Sequence, residues 1–174
     1  MKATFFILLA LVLIAAIVLG PHLRKDVKKK QQYQNTFAIQ NVGTGLCLRP
    51  LDAHYEEGVP LVLYPLHNWG CITWQIIRLE GNACLMKNLY TQRTFMPDGV
   101  PNEGVSMRQA VMGGDTSQLW VMEADGEGTY RIHLRDNDLY LTAPSSETNA
   151  RPVLRKQSGD DSQLWRLVSQ NPIV

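Results

Sequence analysis

Gly159-Asp160-Asp161-Ser162-Gln163-Leu164-Trp165 repeats an earlier stretch, Gly114-Asp115-Thr116-Ser117-Gln118-Leu119-Trp120. The two tryptophans are 45 residues apart, and another 46 residues back stands Trp74, in Cys71-Ile72-Thr73-Trp74. A large aromatic residue recurring at this period, each time at a strand-like run, marks an internal repeat. The 174-residue chain therefore reads as three copies of one unit, about 36–81, 82–128 and 129–170, behind an N-terminal extension. The competing reading is a plain all-β sandwich with chance matches.

Each unit holds four short runs of strand formers separated by turn residues. In the first unit they are Thr36–Asn41, Leu46–Leu48, Leu61–Tyr64 and Trp74–Ile77. The second unit offers Ala83–Met86, Thr94–Met96, Val105–Arg108 and Trp120–Met122. Tyr130–Leu134, Leu139–Leu141, Pro152–Arg155 and Trp165–Val168 make the third. Four short strands cannot bury an apolar face alone, whereas three copies around an axis share one core. Trp74, Trp120 and Trp165 are expected in that core. Gln118 and Gln163 are expected to close the loops before them with their amides.

Residues 3–20 carry no charge, and Thr4 is their only hydroxyl. As a helix they would span roughly 27 Å, about one bilayer core. Two readings stay open: a signal peptide cleaved after Gly20, and an uncleaved membrane anchor. Pro21 directly after that cleavage point weighs for the anchor. A basic linker, residues 21–35, follows, with Arg24, Lys25, Lys28, Lys29 and Lys30. The positive-inside rule would keep that flank cytoplasmic, while the fold class argues for an exported domain, secreted or anchored with residues 36–174 outside the cytoplasm. The linker is a solvated stretch or a contact for anionic lipid head groups.

Net charge is only +1, and the other basic residues are scattered, which argues against a nucleic-acid partner. Catalytic signatures are missing too. Glu56 and Glu57 are adjacent and would diverge on an extended chain, unlike a glycosidase pair. His22, His54, His67 and His133 show no metal spacing with the cysteines, so neither metal nor cofactor is expected. There is no phosphate loop and no nucleophile elbow. The chain reads as a non-enzyme. Cys47, Cys71 and Cys84 leave one thiol over if a single disulfide forms.

Three Trp-ended units of this length resemble the ricin B-type lectins, whose mark is Gln-x-Trp near the end of each unit. Gln118-Leu119-Trp120 and Gln163-Leu164-Trp165 carry it in full; Ile72 replaces the Gln in the first unit. Gly45-Leu46-Cys47-Leu48 and Gly58-Val59-Pro60-Leu61-Val62-Leu63-Tyr64-Pro65 are similar to further family motifs. The resemblance implies an all-β β-trefoil over residues 36–174 and a carbohydrate-binding role, with a glycan or glycoprotein as partner. Phe37–Leu48 is also similar to the lectin-like subunits of cytolethal distending toxins. That likeness implies a cell-binding or carrier subunit with other toxin subunits as partners, attached to a membrane through residues 3–20. A different class of function is a protein-interaction trefoil whose sugar pockets have decayed.

A sugar site of this family uses an Asp after the Cys-Leu pair, a ring on the third strand and a polar residue before Gln-x-Trp. The first unit has the ring, Tyr64, but Arg49 at the Asp position, with Asp52 three residues on. Asn68 and Trp69 lie in its last loop. The second unit offers Pro97 with Asp98, and Ser117, but no ring. The third has Thr142 and Ser162, again without a ring. Tyr64, Asp52, Asn68 and Trp69 are thus the candidate ligand contacts. In the family a Cys at the Cys47 position pairs with one after the aromatic-Pro. Leu66 holds that place here, so Cys47–Cys71 and Cys71–Cys84 are rival pairs, with three plain buried thiols as the alternative in a reducing compartment.

Overall fold

The computed structural model describes residues 35–172. The apolar segment at 3–20 and nearly all of the basic linker lie outside the described residues, among which no helix is long and apolar enough to cross a membrane.

Twelve strands follow one another. They are β1 (Thr36–Asn41), β2 (Cys47–Pro50), β3 (Leu61–Tyr64), β4 (Thr73–Arg78), β5 (Ala83–Asn88), β6 (Thr94–Pro97), β7 (Met107–Ala110), β8 (Trp120–Ala124), β9 (Thr129–Leu134), β10 (Leu139–Thr142), β11 (Val153–Lys156) and β12 (Leu164–Ser169). Six of them close a ring of antiparallel pairs: β1 with β4, β4 with β5, β5 with β8, β8 with β9, β9 with β12, and β12 back to β1. The remaining six form three hairpins, β2–β3, β6–β7 and β10–β11. Each unit thus supplies two barrel strands and one hairpin. Closure leaves the barrel without a free edge.

β7 starts two residues later than the sequence pattern suggests. Val105 is held in a turn, its N–H donating to the Asn102 carbonyl at 3.2 Å, and Ser106 bridges to Val153 of the next hairpin.

Trp74, Trp120 and Trp165 are fully buried in one cluster and make the same bond. Each indole Nε1–H donates to a carbonyl on the first strand of its own hairpin: Leu48 at 3.0 Å, Phe95 at 3.3 Å and Leu141 at 3.0 Å. Phe95 links two of the three rings, edge-on to Trp74 with centroids 5.3 Å apart and tilted against Trp120 at 4.8 Å.

The repeated motif is a closure device. In the second unit Gln118 donates to the Val111 carbonyl (2.8 Å) and accepts from Gly113 N–H (3.0 Å). Gln163 does the same with Lys156 and Ser158, both at 2.8 Å, and also donates to Thr142 Oγ1 at 3.1 Å. The motif Asp caps the short turn ahead of each Trp strand. Asp115 accepts from Ser117 N–H (2.9 Å) and Oγ–H (2.7 Å), and Asp160 accepts from the same two groups of Ser162. These bonds hold both carboxyls below the usual carboxylate range. A depressed folded-state pKa adds stability above the unfolded carboxylate pKa, lost as pH falls through the folded value. Both groups are exposed, so the effect is small.

Units also tie to each other. Asn41 in β1 donates to the Asp161, Ser162 and Leu164 carbonyls of the third unit, and Asn88 in β5 to the Cys71 carbonyl of the first. Gly43 lies against the Asp161 backbone: an added Cβ would meet Asp161 C and O at 3.1 Å. Gly43→Ala is therefore expected to destabilise the full chain by about 1–3 kcal/mol, measured by equilibrium denaturation. A change below about 0.5 kcal/mol would mean that this seam yields freely.

Cys47, Cys71 and Cys84 are free, buried thiols in this structure, so neither of the pairs weighed from the sequence is present. Cys47 and Cys71 share a small cluster with Ala38 and Ile72, while Cys84 belongs to the main core. Burial pushes the Cys47 thiol up to about 12 and, against the pull of Arg78, the Cys84 thiol to about 11. Neither is a nucleophile at neutral pH.

Candidate ligand-binding site

Strand register defines the equivalent positions in the three hairpins. Cys47 faces Tyr64, Thr94 faces Ala110 and Tyr140 faces Arg155. Only the first hairpin therefore carries a ring at this position of its second strand. The position after the carbonyl bonded by Trp is Arg49, Met96 and Thr142. Met96 thus corrects the sequence assignment of Pro97, because Thr94-Phe95 stands where the first unit has Cys47-Leu48 and the count slipped by one.

The second and third pockets have their polar groups already engaged. Asp98 pairs with Arg108 Nε at 3.4 Å. Thr142 is buried, donates to the Tyr140 carbonyl at 3.0 Å and accepts from Gln163. The Ser117 and Ser162 hydroxyls donate to the capping aspartates.

In the first unit Arg49 lies across the ring it was expected to accompany as a misfit. Its guanidinium carbon sits 3.7 Å from the Tyr64 ring centroid. Its Nη2 meets Asp52 Oδ1 at 3.3 Å. Asp52 occupies the left-handed region (φ 50°), as does Ala53 (φ 57°). A left-handed Ala is strained. The turn is pinned on either side by Leu51 N–H to the Pro60 carbonyl (2.9 Å) and His54 N–H to the Leu51 carbonyl (3.0 Å).

The last loop of this unit has no Gln to close it. Ile72 points into the Cys47–Cys71 cluster, and other groups hold the loop. Ile72 N–H and the Thr73 hydroxyl donate to the Trp69 carbonyl at 3.1 and 2.9 Å. Asn68 donates to the Asn171 carbonyl at 2.8 Å and accepts from Asn171 N–H at 3.2 Å, so its amide secures the C-terminal segment. Asn68 itself stays exposed.

Trp69, by contrast, is 44 % exposed. His67 stacks on it, centroids 4.1 Å apart and planes 10° off parallel, and Tyr64 lies 6.3 Å away. Exposed Tyr90 lies on the neighbouring loop: a Cβ on Gly70 would stand 3.4 Å from Tyr90 Cβ. The structure therefore gathers Tyr64, Trp69 and Asp52 with two residues that the sequence motifs do not assign to the site, Arg49 and His67. The available signal for His67 was its place two residues before Trp69. Arg49 was visible only as a missing Asp.

Among the described residues, no group of three or more His, Cys, Asp or Glu is placed to hold a metal ion. A cavity of about 250 Å³ lies away from this cluster, at the starts of β1 and β9 and the ends of β4 and β12, lined by Phe37, Ile76, Arg78, Tyr130 and Leu167 among others.

The fold matches solved structures at low sequence identity. A designed threefold-symmetric protein, ThreeFoil, superposes with a TM-score of 0.74 at 20 % identity, covering 78 % of this chain and 99 % of that one. The chain folds as a β-trefoil. The ricin B-like lectin of Macrolepiota procera, solved in complex with lactose, follows at TM-score 0.65 and 17 % identity, over 76 % of this chain and 94 % of that one. A mosquitocidal holotoxin matches at 0.70 and 20 % identity; the trefoil covers 79 % of this chain and 18 % of that one. An exo-β-1,3-galactanase from Clostridium thermocellum matches at 0.74 and 20 % identity, over 78 % and 30 %. No protein-family model matches the chain, and no curated protein does.

Proposed function

We propose that this β-trefoil is a non-catalytic carbohydrate-binding module that contacts its ligand through the first unit, at Trp69, His67, Tyr64 and Tyr90. One contrast carries this reading. Three tryptophans are fully buried, while the fourth is 44 % exposed and fixed by a stacked histidine. A flat ring held in place at a surface suits the apolar face of a sugar. The lactose complex of a similar fold supports the class of ligand. Glycan-array binding by the full chain is expected, reduced at least tenfold by Trp69→Ala and weakened by Tyr64→Ala. Binding to no glycan, or binding that neither change touches, would remove the site.

A second reading has its own support. The Tyr64 face already carries Arg49, Asn68 is tied to Asn171, and the other hairpins have Ala110 and Arg155 at the position of Tyr64. These features suit a trefoil that binds protein, with exposed Trp69 and Tyr90 as anchors. The finer proposal of an exported carrier subunit of a distending-type toxin, attached through residues 3–20, rests on the Phe37–Leu48 likeness. Whether neighbouring reading frames encode a nuclease-like subunit tests it.

A further inference from the structure

We propose that the first-unit site prefers an acidic sugar, whose carboxylate or sulfate docks on Arg49 in place of Asp52. The inference rests on the glycan-binding reading and names the ligand class of that site.

A guanidinium has five N–H donors. Arg49 is only 7 % exposed, yet among the described residues one donor alone meets an acceptor, Asp52 Oδ1 at 3.3 Å. That single contact is longer than the roughly 2.7–2.9 Å of a strong charge-assisted bond. The buried Nε–H has no partner, and the Tyr64 ring lies against the cation. Leaving a buried charge so thinly compensated is costly. An oxyanion arriving from solvent in place of Asp52, and meeting two of the guanidinium donors, would correct the deficit.

Asp52 is the part that can give way. Its side chain is 64 % exposed, so it returns to water at little cost. It sits in a turn with two successive left-handed residues, Asp52 and Ala53, and such strain collects at sites that rearrange on binding. The stacked pair Trp69 and His67 borders Tyr64 within 6.3 Å, where the sugar ring attached to the anion would rest.

The contrast with the other hairpins is informative. Met96 and Thr142 occupy the positions equivalent to Arg49, and neither carries charge. An ancestral galactose-type pocket that had merely decayed gives no reason for a buried cation at this one position.

The test uses calorimetric titration of the full chain with 3′-sialyllactose (carboxylate), 3′-sulfolactose (sulfate) and lactose (neutral). One or both acidic sugars are expected to bind at least tenfold more tightly than lactose, with an advantage that shrinks as salt is raised. Asp52→Asn is expected to strengthen acidic-sugar binding severalfold. Arg49→Gln is expected to erase the acidic preference, and Arg49→Lys to keep part of it, because the charge survives without the planar fork. Since Arg49 is buried, circular dichroism must first show that its variants fold; if they do not, Asp52→Asn decides. Lactose bound as tightly as the acidic sugars, or an Asp52→Asn variant with unchanged acidic affinity, would overturn the proposal while leaving glycan binding intact. If the array and all three sugars show no binding, the glycan reading itself fails and this proposal with it.

Discussion

Trp74→Ala, Trp120→Ala and Trp165→Ala are each expected to destabilise the chain by about 3–5 kcal/mol, whereas Trp69→Ala should change stability by less than about 0.5 kcal/mol. The first three rings are fully buried in a single cluster, so truncation removes apolar burial and leaves a void. Each also strands the carbonyl its indole serves, at Leu48, Phe95 or Leu141. Phenylalanine at the same positions separates the two effects, because it keeps most of the packing and loses the N–H. Trp→Phe should cost less than Trp→Ala, with the longer bond of Trp120 making its hydrogen-bond share the smallest. Equilibrium denaturation of the full chain measures all of this. A Trp69→Ala loss as large as that of Trp74→Ala would mean that the loop indole is structural, and the binding role would lose its basis.

Gln163→Leu is expected to cost about 2–4 kcal/mol, because the change leaves Ser158 N–H, the Lys156 carbonyl and Thr142 Oγ1 without the amide they share. Gln118→Leu should cost somewhat less, since Gln118 serves two backbone groups and no buried hydroxyl. The converse change, Ile72→Gln, is not expected to restore a family trait. Ile72 packs with Cys47 and Cys71, so a glutamine there would bury an amide without a ready partner and lower stability. Hydrogen exchange adds a local readout: protection at Ser158 should fall in Gln163→Leu before the barrel strands are affected. Equal costs for Gln163→Leu and for a surface Gln would show that the loops close without the amides.

Much of this was legible in the residues because the repeat is enforced by packing. A ring that must fill a shared core, and an amide that must close a loop, recur at fixed spacing, and both do here. β-strand alternation placed the strands to within a residue or two. What stayed hidden depends on distance along the chain or on geometry that spacing does not encode. That Asn68 also secures the C-terminal segment is not readable locally, because its partner lies 103 residues away. Arg49 read as a missing carboxylate, since sequence cannot say that a side chain folds back over Tyr64. Asn41 closes the first strand pattern and Asn88 lies two residues past the Ala83–Met86 run, and nothing local shows that each ends a unit's first strand and ties one lobe to its neighbour. The Met96 register slipped because the second unit lacks the Cys-Leu pair that anchors the count.

The pairing of β1 with β12 has a consequence for how the molecule is made. Phe37 faces Ser169 and Asn41 faces Trp165, so the earliest strand to leave the ribosome waits for the latest. Until then the nascent barrel has two unpaired borders, and its oily interior is open along one side. Closure of this ring therefore has to wait for β12, and the barrel cannot be completed strand by strand in the order of synthesis.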